Sequence, residues 1–586
     1  MDLIQFFVLV VICFLIFSLY NELFKPSLTF FIAALTLLLA KAISPADLLR
    51  GLSNQQIVIV FLLVLVTAGI RSIYGVDWFA RLFSFQLAPR AFLLRMMMFS
   101  SGVSAFLNNT PIVAFMIPYV KAWAERTGHS PSKFLIPLSM ATILGGMITV
   151  IGTSTSLILV GLIQEYNLTM LSFTDFLYLG LLVTVAGWIY IFFIGYKLLP
   201  ETSSKIDELR LNLKEYIVET EVFQTSPLVG KTVKDAGLRN LKDVFLVEII
   251  RQDEVISPVS PDMKLQENDI LFFSGNKQSI YQLIKDDNGL RLLKQDKLET
   301  AGQFNFVEAV IPAGSELVGR RIKDSDFRRR FNASIIAIHR DGKQVSGKVG
   351  EMKISGGDFL LLLAKDEELN QSSHNDLFFI SVPTKIESQK PWWYNFFGIG
   401  CFLLLVAGVV GVLPLFTVCL ILLAAMIASK ILNVSDIRKE LDLGLLLVMV
   451  SALAIGMALD KTGTASLIAN GLITISNSLG AIGALSFLFV CTTLMTSLIT
   501  NAAVVAVMFP IAMALADQMH LPYTPFFVAI AFSSSGDFMT PIGYQTNLMV
   551  YGPGGYTFKD FIKVGFPFTV LYCVICILFI TYYYHL

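Results

Sequence analysis

Two apolar stretches of this 586-residue chain are interrupted in the same way. "FLNNTPIVAFMIP" runs from Phe106 to Pro118 and "LITNAAVVAVMFP" from Leu498 to Pro510. Asn109, Val113, Ala114, Met116 and Pro118 recur as Asn501, Val505, Ala506, Met508 and Pro510. Inside a bilayer the backbone has no water to bond, so non-helical chain is tolerated only where protein or a wet cavity surrounds it. A sequence that puts amides, hydroxyls and prolines twice into its most apolar regions must therefore enclose both places. Composition agrees with a membrane setting: 55% of residues are hydrophobic, 15% are charged and mean hydropathy is +0.68. With a net charge of zero there is no polybasic signature, and no nucleic-acid partner is expected.

Apolar runs long enough to span a bilayer fall near 3–20, 27–44, 55–75, 133–165 and 174–199, with a compact pair at 90–125 around the first Asn-Asn-Thr element. The first run, Ile4 to Tyr20, lacks a basic leader and reads as a membrane helix rather than a signal peptide. After a polar block from about 200 to 390 the pattern restarts at 392–409, 412–430, 443–460, 480–517, 524–552 and 558–584. A second pair of motifs supports a duplication. "TVIGTSTSL" (Thr149 to Leu157) and "TPIGYQTNL" (Thr540 to Leu548) both fit T-x-I-G-x-x-T-x-L, at an offset of 391 where the first pair has 392.

If each interrupted block is a re-entrant hairpin that does not cross, each half crosses five times. An odd count makes the halves inverted repeats. With the N-terminus outside, the predicted inner loops hold most of the Lys and Arg, including Arg71, Arg81, Arg90, Arg95, Lys121, Arg126, Lys430, Arg438 and Lys439, whereas the outer loops hold Lys41, Arg50 and Lys461. The excess of positive charge inside places both termini outside and the central block in the cytoplasm. The expected domains are an N-terminal membrane repeat at 1–200 with its hairpin at 90–125, and a C-terminal repeat at 391–586 with its hairpin at 480–517.

The central block repeats at an offset of 89: "SPLVGKTVKDAGL" (Ser226 to Leu238) parallels "SELVGRRIKDSDF" (Ser315 to Phe327), and each unit ends in "ENDILFF" or "GGDFLLLL". The L-V-G-[KR] start and the D-[IF]-L end resemble TrkA-C (RCK C-terminal) domains, expected at 217–285 and 304–366 as two small α/β modules. No G-x-G-x-x-G precedes a module, so a nucleotide-binding RCK half is not expected.

The hairpin tips can bind an anion. Each tip aims a helix N-terminus, beginning near Pro111 in the first case, at the enclosed space, and free N–H groups with the positive end of the helix dipole favour negative charge there. The candidate anion residues are Asn108, Asn109 and Thr110 with Thr500, Asn501 and Ala502. The glycine motifs suit a cation: Gly152 and Gly543 permit unwound backbone, and Thr153, Ser154, Thr155, Gln545, Thr546 and Asn547 add oxygens for Na⁺. Packing of small residues between helices would use the same residue types singly. Asp537, just before the second glycine motif, reads as a cation ligand, a proton carrier or a satisfied structural carboxylate.

These residues resemble the divalent anion:sodium symporter (DASS) family of the ion transporter superfamily, over both membrane halves. That resemblance implies Ser-Asn-Thr signatures at two hairpin tips, where this chain has Asn108-Asn109-Thr110 and Thr500-Asn501-Ala502. The hydroxyl missing at Ala502 sits better with a compact oxyanion such as sulfate than with two separate carboxylates. The resemblance also implies a homodimer, Na⁺ coupling and an elevator-like motion in the cytoplasmic (inner) membrane. The TrkA-C-like pair implies dimerisation or a small effector such as a cyclic dinucleotide. The expectation is a Na⁺-coupled carrier of a divalent anion, with no cofactor beyond the coupling ion. A C4-dicarboxylate or citrate carrier, a cation/H⁺ antiporter using Asp537 and a non-transporting membrane sensor stay open as alternatives. No nucleophile–base constellation and no G-x-x-x-x-G-K-[ST] supports an enzyme or an ATP-driven pump.

Overall fold

The computed structural model describes the chain apart from residues 1, 21–22, 25, 74–86, 202–216, 239–243, 253, 257–258, 276–288, 293–305, 313–314, 326, 332, 341–342, 346–348, 365–376, 380–392, 434–436, 438–442, 477–479 and 542. It forms two compact units: Met1–Pro200 with Lys385–Val550 and Thr557–Leu586, and Glu201–Thr384 with Tyr551–Tyr556.

The larger unit is helical. Its first half contains α1 (Leu3–Tyr20), α2 (Pro26–Leu39), α3 (Pro45–Ser53), α4 (Gln55–Ile73), α5 (Pro89–Ser104), α6 (Asn109–Thr127), α7 (Leu135–Gly146), α8 (Ser154–Glu165) and α9 (Phe173–Tyr190). Starts are written in the sequence. Pro45 and Pro89 occupy first-turn positions, where a missing N–H costs nothing. Ser44 with Asp47, and Ser172 with Asp175, form reciprocal capping boxes. α9 runs on through a single π turn at Ile191–Gly195 to Leu198.

The second half, past the smaller unit and its one described α-helix α10 (Phe327–Phe331), contains α11 (Trp393–Val409), α12 (Leu415–Ala428), α13 (Leu443–Lys461), α14 (Thr464–Ser476), α15 (Gly480–Thr496), α16 (Asn501–Met519), α17 (Tyr523–Ser535), α18 (Gln545–Tyr551) and α19 (Phe558–Tyr583). Helix pairs with short breaks recur in both halves. α2 and α12 are each followed by a lysine in the left-handed region, Lys41 at φ 60° and Lys430 at φ 58°. Packing between the halves is reciprocal: α2 lies on α13, and α12 lies on α4. Among the described residues three helices are long and apolar enough to cross a bilayer alone, Phe173–Leu198, Asn501–Met519 and Phe558–Tyr583. The bent pair Leu446–Lys461 and Thr464–Thr474, with an angle of 71°, makes a fourth span if it counts as one. Several other apolar helices have 10–17 residues, because the apolar runs are divided by polar breaks.

The smaller unit holds two five-stranded antiparallel sheets. β1 (Ile217–Val222), β2 (Val244–Arg251), β3 (Glu254–Ile256), β4 (Ile270–Gly275) and β5 (Leu290–Leu292) are ordered β3-β2-β4-β1-β5. β6 (Phe306–Val310), β7 (Ala333–Arg340), β8 (Lys343–Gln344), β9 (Phe359–Ala364) and β10 (Phe378–Phe379) are ordered β8-β7-β9-β6-β10, the same connectivity. The register shifts at Leu246/Glu248 in the first sheet and at Ile335/Ala337 in the second, 89 residues on. Each sheet carries a clasp between a partly exposed arginine and a buried aspartate. Arg251 donates to both oxygens of Asp269 at 2.8 Å and to Lys264 O at 2.9 Å; Arg340 donates to Asp358 at 2.7 and 2.8 Å and to Lys353 O at 2.8 Å. Both sheets close later in the chain than the motif boundaries suggested, since β5 and β10 lie beyond 285 and 366. These two strands have only three and two residues, too few to leave an apolar run.

Candidate functional site

The two hairpins are built alike. In the first, α5 and α6 meet at a tip whose anchor is Asn109, 1% exposed. The helix starts at Asn109 itself, two residues before Pro111, because the asparagine side chain folds back onto α5: its Oδ1 accepts from Ser104 Oγ. Ser104 also lies 2.8 Å from Thr142 O on α7. In the second, Thr496 Oγ1 lies 2.6 Å from Asn501 Oδ1 and 2.8 Å from Ser534 O on α17. Ser104, Asn109 and Thr142 thus correspond to Thr496, Asn501 and Ser534, all at an offset of 392.

The glycine motifs lie directly behind these tips. Residues 147–153 separate α7 from α8, and residues 536–544 separate α17 from α18. Thr149 Oγ1 bonds Ala105 O, and its counterpart Thr540 Oγ1 reaches Ser497 O at 3.3 Å. Neither glycine has room for a side chain: a Cβ on Gly152 would sit 2.3 Å from Gly146 O, and one on Gly543 would sit 2.1 Å from Asp537 Oδ2 and 2.8 Å from Thr496 O. A Cβ on Gly146 would meet Asn109 Oδ1 at 2.6 Å. Close backbone approach is therefore what demands glycine here.

The first tip is fastened to the other half. Asn109 Nδ2 donates to Tyr544 OH at 2.6 Å, and Thr110 Oγ1 donates to Gln545 Oε1 at 3.2 Å. Deeper in, Ser139 of α7 reaches Thr546 Oγ1 at 2.9 Å and Asn547 Oδ1 at 2.7 Å. Asn547 Nδ2 donates to Asp537 O and Thr540 O, both at 3.0 Å, which closes the unwound segment. No hydrogen bond joins 108–110 to 500–502 among the described residues; contacts run between them through Tyr544, Gly543 and Thr496, and through Ser139, Asn547, Asp537 and Ser497. On the other side α16 packs against α8, the helix that follows the first glycine motif.

The remaining candidates are placed as follows. Asn108 is exposed, and Thr110, Asn501 and Ala502 are half-buried. Thr500 caps α16 with backbone geometry only, and its buried Oγ1 has no partner. Thr153 caps α8, accepting from Ser156 N at 3.3 Å; Thr155 is buried and Ser154 half-buried. No hydrogen bond links 152–155 to the second tip among the described residues. Asp537 is fully buried. It accepts from Ser497 Oγ and Thr540 Oγ1, both at 2.9 Å, with no ion pair among the described residues. Its place in the first half is held by glycine, Gly145 or Gly146 at offsets of 392 and 391. No group of three His, Cys, Asp or Glu that fits a metal exists among the described residues.

Reading the residues alone passed over Ser104, Thr496, Ser139, Ser497 and Tyr544. The signal for the first two was present, since a hydroxyl stands five residues before each tip asparagine. A cavity of about 240 Å³ lies against the first glycine motif, lined by its Val150, Ile151 and Leu157 with Gln55, Ile59 and Phe416 among others, and with no tip residue in its wall.

Comparison with known proteins agrees with this architecture. A family model described as "Citrate transporter" (CitMHS) matches residues 9–520 and 402–585. A Chlamydomonas reinhardtii protein named "Putative sulfur deprivation response regulator" is 35% identical, covering 91% of this chain and 94% of its own. The "Uncharacterized transporter sll0640" of Synechocystis sp. (strain ATCC 27184 / PCC 6803 / Kazusa) is 31% identical over 93% of this chain and 91% of its own. "Sodium/sulfate cotransporter 2" of Chlamydomonas reinhardtii is 30% identical over 61% of this chain and 42% of its own. These matches fit the resemblance to divalent anion:sodium symporters, and they point to a membrane transporter rather than an enzyme. With a family match that runs over nearly the whole chain, and with tips and glycine motifs arranged in duplicate within it, the chain belongs to the citrate transporter family.

Proposed function

We propose that this transporter carries a compact divalent oxyanion, sulfate or a close chemical relative, into the cell together with Na⁺. One observation carries the reading: Asn109 and Thr110 of one half are bonded to Tyr544 and Gln545 of the other, so tip and glycine motif form one polar cluster that runs from buried Asn109 to exposed Gln545. Asn108, Asn109, Thr110, Thr500, Asn501 and the backbone at Ala502 hold the anion, with the α6 and α16 N-termini supplying positive potential and no Lys or Arg in either tip. The orphaned Thr500 hydroxyl supports this, since a buried donor without a partner is costly unless a ligand uses it. Gly152, Thr153, Ser154 and Thr155, and Gly543, Gln545, Thr546 and Asn547, hold Na⁺ through unwound carbonyls and side-chain oxygens. Asp537 belongs to the second cation site, because a buried carboxylate without an ion pair calls for a cation or a proton.

The halves act as inverted repeats of five crossings each, and the hairpins and glycine motifs move together as an elevator against α1–α4 and α11–α14. The two sheet modules serve as cytoplasmic TrkA-C domains, for homodimerisation or for a small effector such as a cyclic dinucleotide. The names of the Chlamydomonas sodium/sulfate cotransporters support sulfate. The family description supports a second reading, a citrate or C4-dicarboxylate carrier.

Uptake of labelled sulfate into proteoliposomes, with and without an inward Na⁺ gradient, tests the proposal. Competition by succinate and citrate separates the two anion readings. Asn109→Ala and Asn501→Ala should each abolish gradient-driven uptake, and unchanged uptake in both removes the site. Sulfate-independent Na⁺ flux driven by a pH gradient and lost in Asp537→Asn would instead establish an antiporter.

A further inference from the structure

We infer that Tyr544 contacts the substrate and sets its specificity: its phenolic O–H donates to the bound anion from the second half while its oxygen accepts from Asn109 of the first. This deepens the oxyanion reading above and rests on it.

The hydrogen atoms of Asn109 and Tyr544 carry the assignment. Asn109 Oδ1 is taken by Ser104, so the amide can serve a ligand only through Nδ2. One of its two hydrogens goes to Tyr544 OH, at 2.6 Å. A phenol has one hydrogen and accepts as well. Because Tyr544 accepts from Asn109, its own hydrogen is directed elsewhere, and no acceptor for it exists among the described residues.

The backbone around Tyr544 is held in place. Gly543 is pressed against Thr496 O and Asp537, Gln545 accepts from Thr110, and Thr496 in turn holds Asn501. Tyr544 therefore lies on the more direct of two described routes of contacts joining the two tips, the other running through Thr142, Ser139, Asn547, Asp537 and Ser497. Two neutral donors are left where the halves meet, the second Asn109 N–H and the Tyr544 O–H, and the second tip adds the unpartnered Thr500 Oγ1. A tetrahedral dianion presents four oxygens around one centre to meet such a set, whereas a dicarboxylate presents two at each of two separated, planar ends. Loss of the phenolic donor should thus weaken sulfate more than a carboxylate.

Tyr544→Phe keeps the ring and removes the hydroxyl. In proteoliposomes under a Na⁺ gradient, KM for labelled sulfate should rise roughly ten- to a hundred-fold, with the maximal rate within about twofold and inhibition by succinate changed less than about threefold. A KM within about twofold of wild type, a fall in maximal rate alone, or equal weakening of sulfate and succinate overturns the assignment. Asn109→Ala measured in parallel separates the two levels. If it weakens uptake while Tyr544→Phe does not, Tyr544 is only a neighbour; if neither changes KM, or the wild type moves neither anion, the oxyanion site falls too. Thermal melting of the detergent-solubilised variants identifies any that fail to fold, and for such a case Tyr544→Leu, which is smaller and also has no side-chain donor, takes the place of Tyr544→Phe.

Discussion

Ser104 and Thr496 stand 392 residues apart and make the same two contacts. Each hydroxyl holds the side-chain oxygen of the asparagine five residues on and lies at the carbonyl of a residue 38 further along. One side chain thereby ties together a hairpin's two arms and the helix behind them.

That buttress is open to direct test. Ser104→Ala and Thr496→Ala each free a tip asparagine and leave a buried acceptor without its donor, a change of about 1–3 kcal/mol. The KM for the transported anion should rise about tenfold or more in each. Ser104→Thr and Thr496→Ser, which keep the hydroxyl, should stay much nearer wild type. Initial uptake rates across a range of anion concentrations check this.

Gly146 is a second point of vulnerability. A Cβ there would sit 2.6 Å from Asn109 Oδ1, so Gly146→Ala must push the asparagine away from Ser104 or from Tyr544. Overpacking of this kind costs about 1–3 kcal/mol. Uptake should fall to background while the melting temperature drops by only a few degrees. Gly102, whose added Cβ would meet nothing within 4 Å, is the control, and Gly102→Ala should behave as wild type.

Acid should loosen the join between α3 and α13. Lys461 Nζ lies 2.6 Å from Asp47 Oδ2, which also accepts from the Ser44 amide at 2.8 Å and hydroxyl at 2.7 Å. Burial acts to raise the Asp47 carboxyl, but the Lys461 and Ser44 hydrogen bonds outweigh it and hold the carboxyl at about 2, below the usual 3.8. A depressed carboxylate contributes stability that is complete above its unfolded value and fades as pH falls toward the folded one. Wild type should therefore lose stability between about pH 4 and pH 2. Lys461→Met should be less stable at pH 7 and should lose less over that window. Melting curves in detergent from pH 2 to pH 7 check both.

The sheet modules make a prediction of their own. Asp358 is fully buried and its charge is met by Arg340, itself partly exposed. Arg340→Met should destabilise the second module by about 2–3 kcal/mol, the exposed arginine keeping the value below that of a wholly buried pair. Arg340→Met with Asp358→Leu should recover much of the loss. Hydrogen exchange of β7 and β9 in the intact chain measures it, and β2 and β4 of the first module should not change.

What could be read from residues alone differed from place to place for physical reasons. Breaks in the helices were legible because glycine and hydroxyl residues inside an apolar run have few other uses; the observed breaks at 147–153 and 536–544 take in the first five residues of each glycine motif, and Ser154, Thr155, Gln545, Thr546 and Asn547 fall instead in the first turns of α8 and α18. The 89-residue repeat was legible because its polar turn residues recur in register, and the Arg251–Asp269 and Arg340–Asp358 clasps share that spacing. The partnerships of Asn109 with Tyr544 and Ser139 with Thr546 were not, since they join residues 435 and 407 positions apart and leave no local pattern. Ser104 and Thr496 look like ordinary small residues at a helix interface, and only the folded chain shows which atom each one holds.

The fastening of Asn109 and Thr110 to Tyr544 and Gln545 has a consequence for assembly. Neither half owns a finished polar centre; each supplies what the other lacks. Severed at the middle and synthesised as two polypeptides, the protein would gain its centre only upon docking of the fragments, so reconstituted activity should scale with fragment association rather than with the amount of either fragment alone.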